Sequence, residues 1–411
     1  MASGRLRVML AGMAVVLGTL VLAACGGSDS ESSKGSDGTT AKETGPIVIG
    51  AAVDQTKLMK FFDGPALTAA KIRADEINAQ GGVDGRKIEF KVLNTRLDPD
   101  RTRSAAIELT DGGADIMWAT CDADWATPAM QVGISKGLLT VAPCEGTGQI
   151  GPKRFGEQGK LAFSFGNFSG DEAAALAKVA IDRGLKTAVT VTDKSITYTQ
   201  LSCAAFKTAF EELGGKVVGE ESFTEGDRTI GRVVTRVNRI KADLYNICAT
   251  TQQDLPAFVS GIRGLGNDTP IYGPWSIDSA FWLPKSPKVS NNITLVTYAS
   301  VYGDDPSDDV KALIAKMTEQ KTPPATGGFL GGAAAVDAIA WAVKENGGST
   351  DGAALAKSLE GAKDLETTVG KISFSPELHT VFGREYRIID IKNGKPGFAG
   401  LVKADHPVNL P

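Results

Sequence analysis

Histidine is almost missing from this chain: there are two in 411 residues, His379 and His406, and both lie near the C-terminus. A metal or catalytic centre built on imidazole is therefore not expected. The motifs of nucleotide chemistry are missing too, with no Walker-type or dinucleotide-type glycine loop. The stretch Gly166-Asn167-Phe168-Ser169-Gly170 does not have the Gly-x-Ser-x-Gly form of a nucleophile elbow. Positive charge is not in excess, since 44 Lys and Arg face 48 Asp and Glu, a formal net charge of -4. With no basic stripe either, a nucleic-acid partner is not expected. Nothing here calls for a cofactor or a metal, and the chain does not read as an enzyme.

What is present is an ordinary globular composition, 42% apolar and 22% charged, over a length that predicts two or more domains. The first residues differ. Arg5 and Arg7 lead into an apolar run that ends at Ala24, the form of a secretory signal. Leu22-Ala23-Ala24-Cys25-Gly26 resembles the lipobox of bacterial lipoproteins. That resemblance implies a signal peptide over 1–24, cleavage before Cys25 and a lipid on its sulfur. The chain would then be anchored on the outer face of a bacterial cell membrane. Residues 25–45 are rich in Gly, Ser, Asp and Thr with no large apolar side chain, which predicts a flexible tether.

Four cysteines remain, an even number in an oxidising compartment. Cys121 and Cys144 each follow an apolar run in the segment 114–147. Residues 115–120 predict a strand, 125–136 a helix and 138–142 a second strand, a right-handed βαβ unit. Neighbouring strands lie about 5 Å apart, so a Cys121–Cys144 disulfide is expected between the two loops. Cys203 near a helix start and Cys248 at a strand end are expected to form the second. Ligands of open parallel sheets bind beyond the carboxyl ends of strands, which places the loops at 121–124 and 144–147 on one wall of a cleft.

Two series of alternating β and α elements follow one another. The first predicts strands at 47–52 and 87–94, a helix over 65–78, and a helix after Asp98-Pro99, with Asp98 as its cap. The second runs from a helix over 172–183 to a strand over 270–273. Residues 293–299 are expected to return the chain to the first lobe, and Asn393-Gly394 predicts a closing hairpin. The expectation is two doubly wound lobes rather than a barrel.

Several segments resemble the type I periplasmic solute-binding proteins, in particular the branched-chain amino acid binding family. The run from Asp75 to Ile88, DEINAQGGVDGRKI, carries the most specific resemblance. Ile47–Val53, Leu97-Asp98-Pro99, Asp193–Tyr198 and residues 370–395 are similar to further family segments. The family implies two lobes joined by a three-crossover hinge, with lobe 1 at 46–164 and 298–374, lobe 2 at 165–297 and 375–402, and a tail at 403–411. It implies a monomer that captures a small polar solute (an amino acid, amide or related compound) and delivers it to the permease of an ABC importer. A ligand sensor for a membrane receptor is the alternative, and a secreted hydrolase a remote one. Site residues expected from strand-end position and from the family are Phe62, Asp122, Asp124, Glu145, Thr147, Tyr198, Thr250, Trp275 and Asp278. Here the chain departs from the family, in which a Ser and a Thr hold the ligand carboxylate. An ionised Asp122 would repel a carboxylate, so an ordinary α-amino acid is in doubt as the solute. Asp122 and Asp124 are equally readable as caps of the helix that follows them.

Overall fold

The computed structural model describes residues 44–408 except Gln252. The signal segment, Cys25, residues 26–43 of the tether and the last three residues of the tail lie outside the described residues.

The first strand, Ile47–Val53, is buried along its whole length, as a parallel strand covered on both faces must be. It pairs in parallel with Ile88–Asn94 and Ile116–Trp118. Leu139–Ala142, Ala162–Asn167 and Leu378–Phe382 continue that parallel sheet. The antiparallel strands Gly370–Ser375 and Leu365–Thr367 complete its eight. Helices Lys60–Ala79 and Leu330–Glu345 cover one face, and Pro99–Asp111 and Ala123–Ser135 the other. Two adjacent glycines allow the helix Leu330–Glu345 to lie directly on backbone. A Cβ on Gly331 would stand 1.8 Å from the Pro143 carbonyl oxygen, and one on Gly332 would stand 1.9 Å from that of Ala66.

A second sheet of seven strands starts afresh beyond Asn167. Its strands Lys216–Phe223, Thr187–Asp193, Leu244–Cys248, Ile271–Gly273 and Ile293–Thr297 run parallel. The antiparallel hairpin Tyr386–Lys392 and Lys395–Val402 closes its edge. Asn393 and Gly394 turn that hairpin with φ of 53° and 77°, as the Asn-Gly pair predicts. Two open sheets exclude the barrel.

The chain passes between the sheets three times: after Asn167, after Thr297 and after Phe382. Ile293–Thr297 lies in the second sheet, and the chain enters the first lobe from Tyr298 onward. Two details differ from expectation. Leu378–Phe382 belongs to the first sheet, where Thr380 pairs with Ser164, although residues beyond 374 were assigned to the second lobe. The first helix also begins at Lys60, not at Pro65. Its N-terminus has no side-chain cap, so no capping signal marks it, and Pro65 sits inside the helix. By contrast, Asp98 caps its helix as expected, accepting from Arg101 N at 2.8 Å.

Candidate functional site

The loops after Ile116–Trp118 and Leu139–Ala142 are tied in two ways. The sulfurs of Cys121 and Cys144 lie at disulfide distance, with Cα atoms 4.8 Å apart. Behind them the buried Asp63 accepts from Asp54 N and Cys121 N, each at 2.8 Å, and from the Thr120 hydroxyl. Burial pushes the Asp63 carboxyl up to about 7. In the second lobe the sulfurs of Cys203 and Cys248 also lie at disulfide distance, with Cα atoms 5.7 Å apart.

These loops face the second lobe across a cavity of about 40 Å³. The first lobe contributes Met59, Phe62, Asp122, Trp125, Glu145 and Gly146. The second contributes Ile196, Tyr198, Thr250, Trp275 and Ser276. Aromatic rings meet across it: Trp275 stands edge-on to Phe62 at 5.6 Å and to Tyr198 at 5.8 Å. At the rim Phe61 and Phe281 meet at 5.8 Å.

The nine expected site residues divide into two groups. Phe62, Asp122, Glu145, Tyr198, Thr250 and Trp275 line the cavity. Asp124, Thr147 and Asp278 do not. Asp124 pairs with Arg154 at 3.1 Å and accepts from Thr197 N of the other lobe at 3.3 Å. Thr147 is a buried turn residue whose hydroxyl accepts from Gln149 N at 3.1 Å. Asp278 accepts from the Thr297 hydroxyl and from Gly327 N, which joins a loop of the second lobe to the start of a first-lobe helix.

Asp122 serves both readings at once. It caps Ala123–Ser135 through Asp124 N and Trp125 N, at 3.0 and 3.1 Å, and it also lines the cavity. Burial, reinforced by the charge of Asp124, pushes its carboxyl up to about 6. Burial likewise pushes Glu145 up to about 8, although Thr147 N donates to it at 2.7 Å. The Asp124 carboxyl moves the other way. Burial would raise it, but the hydrogen bonds from Arg154 and Thr197 outweigh that and hold it below its ordinary value.

The sequence profile of the periplasmic binding protein family matches residues 46–396. The chain belongs to that family. Its members are extracytoplasmic solute-binding proteins and not enzymes. This periplasmic binding protein is 24% identical over 342 residues to Leu/Ile/Val-binding protein homolog 3 of Brucella melitensis, across 80% of this chain and 87% of the relative. Its fold is similar to that of a branched-chain amino acid transporter substrate-binding protein from Streptococcus pneumoniae, solved with isoleucine. That likeness has a TM-score of 0.73 at 20% identity and covers 87% of this chain and 99% of the other. A solute-binding protein of an ABC transporter from Rhodopseudomonas palustris, solved with 3,4-dihydroxy benzoic acid, is similar at a TM-score of 0.72 and 18% identity. It covers 87% of this chain and 98% of the other.

Sequence reasoning missed one acid of this periplasmic binding protein altogether. Glu172, in the first turn of Ser169–Asp182, accepts from Trp275 N at 2.5 Å and from the Tyr198 hydroxyl at 3.0 Å. Burial pushes its carboxyl up to about 8. An acid in a first turn reads as ordinary helix chemistry, so nothing local distinguished it.

Among the described residues no group of His, Cys, Asp and Glu could hold a metal. None of the described helices is long and apolar enough to cross a membrane.

Proposed function

We propose that this protein captures a small polar solute in the cleft between its lobes and delivers it to the permease of an ABC importer. The chain acts as a monomer on the outer face of the cell membrane, held by a lipid on Cys25 after removal of residues 1–24. One observation carries the reading: a cavity walled from both lobes combines three aromatic rings with buried hydrogen-bonding groups. Phe62, Tyr198 and Trp275 supply apolar contact, and Asp122, Glu145 and Thr250 supply polar contact. Asp124, Thr147 and Asp278 position the walls rather than touch the solute.

Contacts made to both lobes at once favour the closed form, so binding and closure are linked. Relatives of this fold are described with isoleucine and with 3,4-dihydroxy benzoic acid, which supports a solute of about that size. A thermal-shift screen of amino acids, amides, amines, sugars and aromatic acids tests the reading. A solute at one hundred times its dissociation constant stabilises the protein by about 2.7 kcal/mol. Absence of a shift with every class contradicts it.

A further inference from the structure

Two acids reach the solute cavity in the same way. Glu145 is 1% exposed, and its Oε1 accepts from Thr147 N at 2.7 Å. Its Oε2 is buried and has no hydrogen-bond partner among the described residues. Asp122 is 6% exposed, and both backbone N–H groups that it caps, Asp124 N and Trp125 N, donate to Oδ1. Each acid thus ties one oxygen to backbone and keeps the other for something else. Both line the cavity, and no lysine, arginine or histidine lines it with them among the described residues.

Much of the remaining wall is aromatic, with Phe62, Trp125, Tyr198 and Trp275. The face of an aromatic ring attracts a cation, most strongly in tryptophan. A buried carboxyl oxygen left without a donor costs free energy unless a ligand supplies the donor. Rings and unpaired acceptors therefore ask for one and the same group, a positive charge that carries N–H. Arg154 does not supply it, since it is paired with Asp124 at 3.1 Å and does not line the cavity.

We propose that the solute is a small amine without a carboxylate, held as its ammonium ion by Glu145 and Asp122 with its apolar body against the rings of Phe62, Tyr198 and Trp275. This rests on the solute-binding reading above and narrows it. A solute carboxylate would face two acids and no basic side chain. The buried and unpartnered Trp275 Nε1 can donate to a hydroxyl of the solute, but it brings no charge to offset an anion. The cavity of about 40 Å³ is smaller than such an amine, so the two walls stand further apart in the filled form.

Capture of the ammonium ion ionises Glu145. Burial raises that carboxyl to about 8, with the charge of Asp122 adding to the rise and that of Arg154 opposing it. Burial also keeps the Tyr198 and Tyr298 hydroxyls protonated, and Glu172 beyond the rings uncharged. Asp122, raised to about 6 by burial and by Asp124, has largely lost its proton at pH 7. The proton that leaves is therefore that of Glu145. Its O–H bond breaks, the proton passes to the buffer, and an ammonium N–H donates to the oxygen in its place. Amine affinity rises with pH up to about 8, by as much as about tenfold per unit.

Calorimetric titration with two matched series tests the assignment. One is 3-methylbutylamine, leucine and 4-methylpentanoate; the other is phenethylamine, phenylalanine and 3-phenylpropanoate. Within a series the apolar body is shared and only the charged groups differ. At least one amine should bind about tenfold or more tightly than its amino acid, and neither acid should bind. Repeating the titration at pH 7 in phosphate and in Tris should show close to one proton released per amine bound. Glu145→Gln should weaken the amine by about tenfold or more and abolish the proton release. Asp122→Asn, which preserves a helix-capping side chain, should weaken it by a similar factor. An amino acid that binds more tightly than its amine, or an acid that binds, would overturn the proposal and leave solute binding intact. So would amine binding to the wild type with no proton released, a measurement that needs no variant to fold. A wider screen in which another class binds and no amine does would overturn it as well. No binding by any class would remove both readings.

Discussion

Glu145 and Glu172 enter the fold as uncharged acids, and that gives the protein a pH dependence of definite sign. Both carboxyls are buried, which raises them from an ordinary 4.5 to about 8. Below the unfolded value both states hold the proton. Between the two values only the folded state holds it. The stabilisation is thus fully present below about pH 4.5 and is lost as pH rises through about 8. Each acid contributes a slope of about 1.4 kcal/mol per pH unit in that window. Denaturant unfolding at several pH values should therefore show stability falling from pH 5 to pH 8. Glu145→Gln and Glu172→Gln should each flatten the fall, and variants that keep the wild-type slope would refute the assignment. At this scale the sequence was partly legible. Asp122 announced itself as a helix cap and proved to be one while also lining the cavity. Arg384 did not, because a lone arginine in a loop gives no sign that it will be buried.

Elements that follow local rules could be anticipated, and those held by distant partners could not. Asp98-Pro99 at a helix start and Asn393-Gly394 between two strands carry their chemistry within a few residues. The strand Leu378–Phe382 does not. It buries His379 and Thr380 at its centre, which hides the apolar pattern of a core strand. Those polar atoms find their partners far away in the chain: His379 Nδ1 donates to the Ala162 carbonyl at 2.9 Å, and the Thr380 hydroxyl to that of Thr147 at 2.7 Å. The Cys121–Cys144 pair lies between these cases, since two cysteines after neighbouring strands suggest their own bridge. It closes a loop with a sequence separation of 23 and ties together the cavity loops that carry Asp122 and Glu145. Replacing both cysteines by serine should cost about 3 kcal/mol of stability and weaken solute binding. Chemical denaturation under non-reducing conditions checks this, and an unchanged midpoint would show that the pair does not constrain the fold.

As a whole, the molecule is two sheets that share a hinge and a small cavity, with side chains from both lobes in contact across it. Trp275 is the residue on which this arrangement turns. It touches Phe62 of the first lobe, Tyr198 of the second and Tyr298 of the hinge, and its backbone donates to Glu172. On the proposed reading, a solute bound between the lobes meets this side chain. The most direct measurement is calorimetric titration of the wild type and of Trp275→Ala with the solute that gives the largest thermal shift. One solute per chain and an affinity at least about tenfold weaker in Trp275→Ala are the expected results. Wild-type affinity in Trp275→Ala, or more than one equivalent bound per chain, would place the solute outside the cleft and contradict this account of the protein.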